Sequence, residues 1–171
     1  MSFGLSRRRF AGLALSGAGL AAAGRAGVAS AAERPLLTVT GKIKTPDGTA
    51  SLRFDRAGLE ALGTASFITQ TPWYPGPVTF EGVPMVRLMA AVGASGDTIV
   101  ATALNDYVTE IPIADFSAYD VLLALKRDGE YMTPRDKGPL FIVYPFDSDP
   151  ALHHQRFYSR SAWQLARLVV R

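Results

Sequence analysis

Two large aromatics stand side by side in Thr71-Pro72-Trp73-Tyr74-Pro75-Gly76-Pro77, where three prolines of fixed φ stiffen the segment that carries them. An indole and a phenol held this way suit the wall of a pocket for a planar or apolar ligand. The alternative is that Trp73 plugs the edge of the core and the prolines only shape a loop. Asn105, Asp106 and Tyr107 bring an amide, a carboxylate and a phenol to one strand junction, a set able to orient a polar ligand. Asn-Asp is equally good turn chemistry. Arg135-Asp136-Lys137-Gly138 offers two cations to a phosphate, sulfonate or carboxylate, with an internal Arg-Asp ion pair as the competing use. Tyr158-Ser159-Arg160-Ser161 gathers a guanidinium and two serine hydroxyls suited to an oxyanion, or else a buried Arg160 that ties loops together.

Metal and nucleophile chemistry find less support. His153 and His154, with Asp147 and Asp149, form the one constellation of nitrogen and oxygen donors, and they are the only two histidines. Neighbouring residues of an extended segment point to opposite sides, so both rings on one ion is awkward geometry, and no metal site is predicted. Ser159 or Ser161 can be written into a triad with a histidine and Asp147, but no nucleophile-elbow sequence sets either serine on a strained turn. The chain contains no cysteine. It therefore has no thiolate nucleophile, no disulfide and no sulfur ligand of that kind for a metal.

The start of the chain reads as an export signal. Ser6-Arg7-Arg8-Arg9-Phe10 precedes an uncharged, Gly/Ala-rich run over residues 11–24, and Ala29 and Ala31 fit a peptidase site. Twin arginines before Phe10, with Arg25 tolerated after the apolar run, favour the twin-arginine route over an ordinary secretory signal. Residues 1–31 are expected to be removed after Ala31, leaving residues 32–171 as one periplasmic domain. The apolar run of about fourteen residues is short for a bilayer span. The full chain carries 18 basic and 15 acidic residues, a formal net charge of +3. Without the four arginines of residues 1–31 the basic count falls to 14 and the net charge to −1. A nucleic-acid partner then loses its electrostatic basis.

The elements that must hold these groups follow from pattern. Residues 36–41 and 50–54 read as strands on either side of a Pro46-Asp47-Gly48 turn, and Asp55 caps a short helix with Leu59 and Leu62 on one face and Gly63 at its end. Residues 65–70 form a strand, the proline-rich segment a loop, and residues 78–82 a short strand. Pro84 opens a helix that turns Met85, Leu88, Met89 and Val92 inward and stops at Gly93. Strands are expected at residues 98–104, 108–113, 121–126, 140–144 and 163–170, with Asp128-Gly129 as a two-residue hairpin turn. Residues 147–160 read as a polar connection. No repeat or linker divides the chain, so the fold class is α+β, a single mixed-sheet domain with a few short helices.

From Phe80 onward the order of motifs resembles the molybdopterin-binding domain of the sulfite oxidase family. The resemblance rests on Phe80-Glu81-Gly82-Val83-Pro84 leading into a helix that ends Ala91-Val92-Gly93-Ala94. Ala103-Leu104-Asn105-Asp106-Tyr107 follows, then Ile111-Pro112, Leu122-Leu123-Ala124, Asp128-Gly129, Asp136-Lys137-Gly138-Pro139-Leu140, Val143-Tyr144-Pro145 and Arg160-Ser161. Small exported proteobacterial proteins regarded as molybdopterin-dependent oxidoreductases are similar also in the Thr-Pro-Trp segment and the Tyr-Ser-Arg-Ser-Ala-Trp-Gln-Leu end. The resemblance implies the sulfite oxidase molybdopterin-binding fold, with Asn105, Asp106, Tyr107 and the Arg160-Ser161 pair near the pterin pocket. The family's cysteine ligand to molybdenum belongs near residues 67–71, Phe67-Ile68-Thr69-Gln70-Thr71, and no residue there replaces a soft sulfur. Where the family places a lysine and then a tryptophan after Arg-Ser, this chain has Trp163 and Gln164.

The expectation is an exported domain of this fold that binds a small anionic or planar ligand without thiolate-ligated molybdenum. Its cofactor is unknown, with molybdopterin implied by resemblance only. Its binding residues are Trp73, Tyr74, Asn105, Asp106, Tyr107, Arg135, Lys137, Ser159, Arg160 and Ser161, and its role is sensing or accessory, passed to a membrane-bound signalling or redox partner. The alternative is a periplasmic molybdopterin-dependent oxidoreductase whose metal is held by the pterin dithiolene and oxygen ligands. A third reading is a scaffold whose pocket has closed.

Overall fold

Alternation along the first strand sets the plan. In β1 (Leu37–Gly41), Leu37 and Val39 are fully buried while Thr38 and Thr40 are half-buried on the other face. The structure is a computed structural model that describes residues 34–45 and 51–171. The expected export signal and the expected Pro46-Asp47-Gly48 turn lie outside the described residues. β1 pairs with β2 (Ser51–Phe54) on one side and, in parallel, with the closing strand β10 (Leu165–Val170) on the other. β5 (Thr98–Ala103) and β6 (Val108–Pro112) complete a five-stranded sheet of order β2-β1-β10-β5-β6.

The second sheet has the order β3-β4-β7-β8, from β3 (Ala65–Thr71), β4 (Tyr74–Pro84), β7 (Leu122–Arg127) and β8 (Glu130–Tyr131), with β9 (Phe141–Val143) also on β7. The Asp128-Gly129 turn between β7 and β8 has φ of 51° and 86°, the two positive values a tight hairpin requires. Both sheets contribute to one hydrophobic core, with Leu37, Leu168 and Ile99 from the first and Phe80, Leu123 and Phe141 from the second. This is the α+β, mixed-sheet architecture with a few short helices that the sequence pattern predicts.

Among the described residues four α-helices flank the sheets. Asp55 accepts from the Gly58 amide at 2.7 Å and caps α1 (Arg56–Glu60), with Leu59 buried. α2 (Met85–Ala91) buries Met85, Leu88 and Met89, and Gly93 at φ +56° ends it. Pro84 is the last strand residue and the N-cap of α2 rather than its first turn. The proline-rich segment also departs from its expected loop form. Only Pro72 and Trp73 turn, and β4 already begins at Tyr74. A register shift at Gln70 and Thr71 takes up the extra residues around Pro75 and Gly76, so the prolines fall where the ladder is interrupted. α3 (Ala114–Ala118) and α4 (Gln155–Arg160) were not expected, and α4 turns the polar connection into a helical support. Its N-cap is the His154 ring, which accepts from the Arg156 amide at 3.1 Å.

Candidate functional site

The Pro72-Trp73 turn carries its indole across the end of β9. The Trp73 ring meets Phe141, Phe146, Tyr158 and Trp163 edge-on, with centroids 5.4 to 6.1 Å apart. Such T-shaped pairs fix ring orientation as well as position. Trp163 is held against β9 by a bridge to Phe141. Together Trp73, Trp163 and Tyr158 wall a cavity of about 210 Å³, whose polar lining comes from Asn105, Tyr107, Gln155 and Ser161.

Each polar group has a local reason for its place. The Asn105 side-chain oxygen accepts from the Tyr107 amide at 3.2 Å, the turn chemistry its neighbours suggest, while Asp106 takes φ +62° and stays exposed outside the cavity lining. The Tyr107 hydroxyl donates to the Ser159 carbonyl at 2.7 Å and latches the β5–β6 turn onto α4. Ser159 turns its own hydroxyl to Gln155 at 3.3 Å. Ser161 is buried and donates to the Phe157 carbonyl at 2.9 Å. Four of the expected residues, Trp73, Asn105, Tyr107 and Ser161, thus meet at one cavity, and Ser159 lies just behind it.

Tyr74, Arg135 and Lys137 lie elsewhere. Tyr74 packs on Phe80, and Arg127 and Lys137 stand over its ring at 4.6 and 4.5 Å. Burial first, then the Asp136 carboxylate, push the Tyr74 phenol up to about 12, against the opposing pull of Arg127. The Arg-Asp pair foreseen in this segment exists with a different arginine: Asp136 binds Arg127 at 2.8 Å, and Arg135 is exposed. Lys137, at φ +60°, has no acidic partner among the described residues, and its ammonium lies 5.9 Å from the Trp163 ring. Lys137 is outside the cavity lining and reaches the site only through Trp163.

Arg160 is held by an ion pair. Its Nη1 lies 2.8 Å from Asp115 Oδ2, which also accepts from the buried Tyr144 hydroxyl at 2.8 Å. Burial and the bond to Asp115 raise the Tyr144 pKa well above the usual phenol range. The two histidines divide their work. His154 caps α4, while His153 sits 3.3 Å from the Tyr158 hydroxyl and 3.7 Å from Asp147. Asp149 caps the Ala151 amide at 2.8 Å. Among the described residues no group of three histidines or carboxylates is arranged to hold a metal ion.

Sequence reasoning did not place Gln155, Tyr158 and Trp163 in the site. Trp163 had a visible signal, being one of only two tryptophans in the chain. Gln155 had none, because its position depends on a helix that begins on a histidine cap.

Comparison with known proteins follows from this geometry. The family model described as an oxidoreductase molybdopterin binding domain matches residues 51–146. Among solved structures, the sulfane dehydrogenase SoxCD from Paracoccus pantotrophus is similar, with a TM-score of 0.60 and 18% identity over 78% of this chain. At that identity the likeness concerns the fold alone. The chain spans 37% of the length of that solved chain. No curated protein matches the sequence.

Proposed function

The chain belongs to the oxidoreductase molybdopterin-binding domain family, and from that premise we propose that it is a ligand-binding member that works without thiolate-ligated molybdenum. The ligand is small, planar and anionic, and it enters the cavity walled by Trp73, Tyr158 and Trp163. The observation that carries this reading is the convergence of two indoles and Tyr158 on one cavity, one of whose walls, Trp163, has the Lys137 ammonium 5.9 Å from its ring.

The residues present do not fit the family's metal centre. No cysteine exists to supply a thiolate. Arg160, which the resemblance places at the pterin pocket, is bound to Asp115. The cavity of about 210 Å³ lies below the roughly 300–1,000 Å³ of pockets that enclose drug-sized ligands. A flat ring system laid against the aromatic wall and oriented by Asn105, Gln155 and Ser161 suits this space better than a large pterin-phosphate. We place the protein in the periplasm, exported through residues 1–31, as a sensing or accessory domain for a membrane-bound partner.

The experiment uses pterin-6-carboxylate as a planar anionic probe and a neutral pterin with the same rings as control. Both tryptophans line the slot, so intrinsic fluorescence reports on this cavity. Saturable quenching is expected, weakened about tenfold by Trp73→Ala, an effect of about 1.4 kcal/mol. Lys137→Ala should weaken the anionic probe and spare the neutral one. Absence of quenching up to about 1 mM probe, the limit of about −4 kcal/mol binding, would sink the ligand reading in favour of a closed scaffold. Near-stoichiometric molybdenum in protein exported by its native host would restore the oxidoreductase reading.

A further inference from the structure

A cavity larger than the aromatic one lies away from it. It measures about 600 Å³ and runs beside β3. Ala65, Ser66 and Phe67 all line it. Successive strand residues face opposite sides of a sheet, so three in a row can border one cavity only along the strand's edge. That edge is open, because β3 is the outer strand of its sheet.

The direction of the edge groups follows from one hydrogen bond. The Gln70 amide donates to Asp147 Oδ2 at 2.7 Å and so points away from β4. With a period of two, the amides and carbonyls of Ser66 and Ile68 point the same way. Asp147 closes the edge at Gln70, whereas Ser66 and Ile68 have no backbone partner beyond the ladder among the described residues. Ile68 is 66% exposed. A bare edge carrying a large apolar side chain is a pairing site unless something covers it.

The facing wall indicates what covers it. Val86, Tyr119 and Leu122 supply an apolar floor, and Asp120 and Asp149 supply carboxylates, with no cationic side chain in the lining. Asp120 has no ion-pair or hydrogen-bond partner among the described residues. We infer that this groove takes an extended, basic segment of a partner protein, which adds to β3 as a further strand through Ser66 and Ile68 and sets its cations against Asp120 and Asp149. Main-chain bonds provide the pairing, and the carboxylates select a basic partner over an acidic one.

The test is hydrogen exchange on the full chain with a blocked Val-Lys-Val-Lys-Val peptide as the probe. On saturation, exchange of the Ser66 and Ile68 amides should slow at least about tenfold, while those of Phe67 and Thr69, already within the ladder, stay as they were. Asp120→Asn together with Asp149→Asn should weaken binding about tenfold and flatten its salt dependence. Ile68→Pro removes an edge donor without touching the β4 ladder and should abolish binding. Val86→Lys sets a cation in the groove wall and should do the same without altering β3. No binding up to about 1 mM peptide, or binding without protection of those two amides, would overturn the proposal. So would protection of the same amides by self-association without peptide, which would assign the edge to a second copy of the chain.

Discussion

Arg160 separates a structural role from a ligand-binding one, and a double-mutant cycle with Asp115 measures the difference. Arg160 and Asp115 meet at 2.8 Å with side chains 20% and 12% exposed. Exposed ion pairs couple by about 0.2–1 kcal/mol, and breaking a fully buried pair costs about 3–5 kcal/mol. A pair this nearly enclosed, whose carboxylate also serves the Tyr144 hydroxyl, belongs between them, at a coupling of about 2 kcal/mol. For a domain of some 140 residues each kcal/mol moves Tm by roughly 3–5 °C, so Arg160→Ala should lower Tm by about 6–10 °C. Urea unfolding of the wild type, Arg160→Ala, Asp115→Ala and the double variant gives the coupling directly. Quenching of the tryptophans by pterin-6-carboxylate, measured on the folded Arg160→Ala protein, should change less than about twofold, or 0.4 kcal/mol. A coupling under about 0.5 kcal/mol, together with a tenfold loss of probe binding, would refute the structural assignment and return Arg160 to the ligand.

Alkaline conditions should destabilise the protein in a defined window. Tyr74 and Tyr144 have pKa values raised in the folded state, Tyr74 to about 12, whereas unfolded tyrosines ionise near 10. Their contribution is complete below pH 10 and declines as pH rises through 10 toward 12 and beyond, so Tyr144→Phe should flatten the fall in stability seen by denaturant titration. Gly82→Ala should cost about 3 kcal/mol or more in the same assay, since a Cβ there would collide with the Leu123 carbonyl on β7. Asp55→Ala removes the α1 cap and should cost about 1 kcal/mol, with no effect on probe binding.

Local chemistry made much of the fold legible. Leu37 and Val39 alternate with threonines, Asp128-Gly129 can hardly avoid a tight turn, and Asp55 with Gly63 brackets a helix without help from the rest of the molecule. α4 was hidden because its six residues carry only one buried side chain, Phe157, and start from a histidine cap. Too little periodicity exists in such a segment to oppose a polar composition. The aromatic slot was half legible for a related reason. Trp73 is conspicuous in its proline setting, but its contact with Trp163 joins residues far apart in the chain, through β9. The uses of Arg160 and Lys137 were undecidable until α3 supplied Asp115 to one and left the other without a carboxylate.

The stretch near which the resemblance implies a thiolate, residues 67–71, serves here as support. Thr69 is buried and accepts from the Asp147 amide at 3.0 Å, while Asp147 takes the Gln70 amide in return. This reciprocal pair staples β3 to the 3₁₀ turn over Phe146–Ser148, and Phe146 in turn bears on Trp73 at 6.0 Å. Residues 69 and 70 thus help hold, through Asp147 and Phe146, the indole that walls the cavity. The family match ends at residue 146, yet Gln155, Tyr158, Ser161 and Trp163 complete that slot from beyond it. The matched span therefore supplies a platform of Trp73, Asn105 and Tyr107, and the segment that follows supplies the opposing wall. On the proposed reading, ligand choice rests on the junction of the two, and substitutions at Gln155 and Tyr158 should shift probe preference as much as those at Trp73 and Asn105.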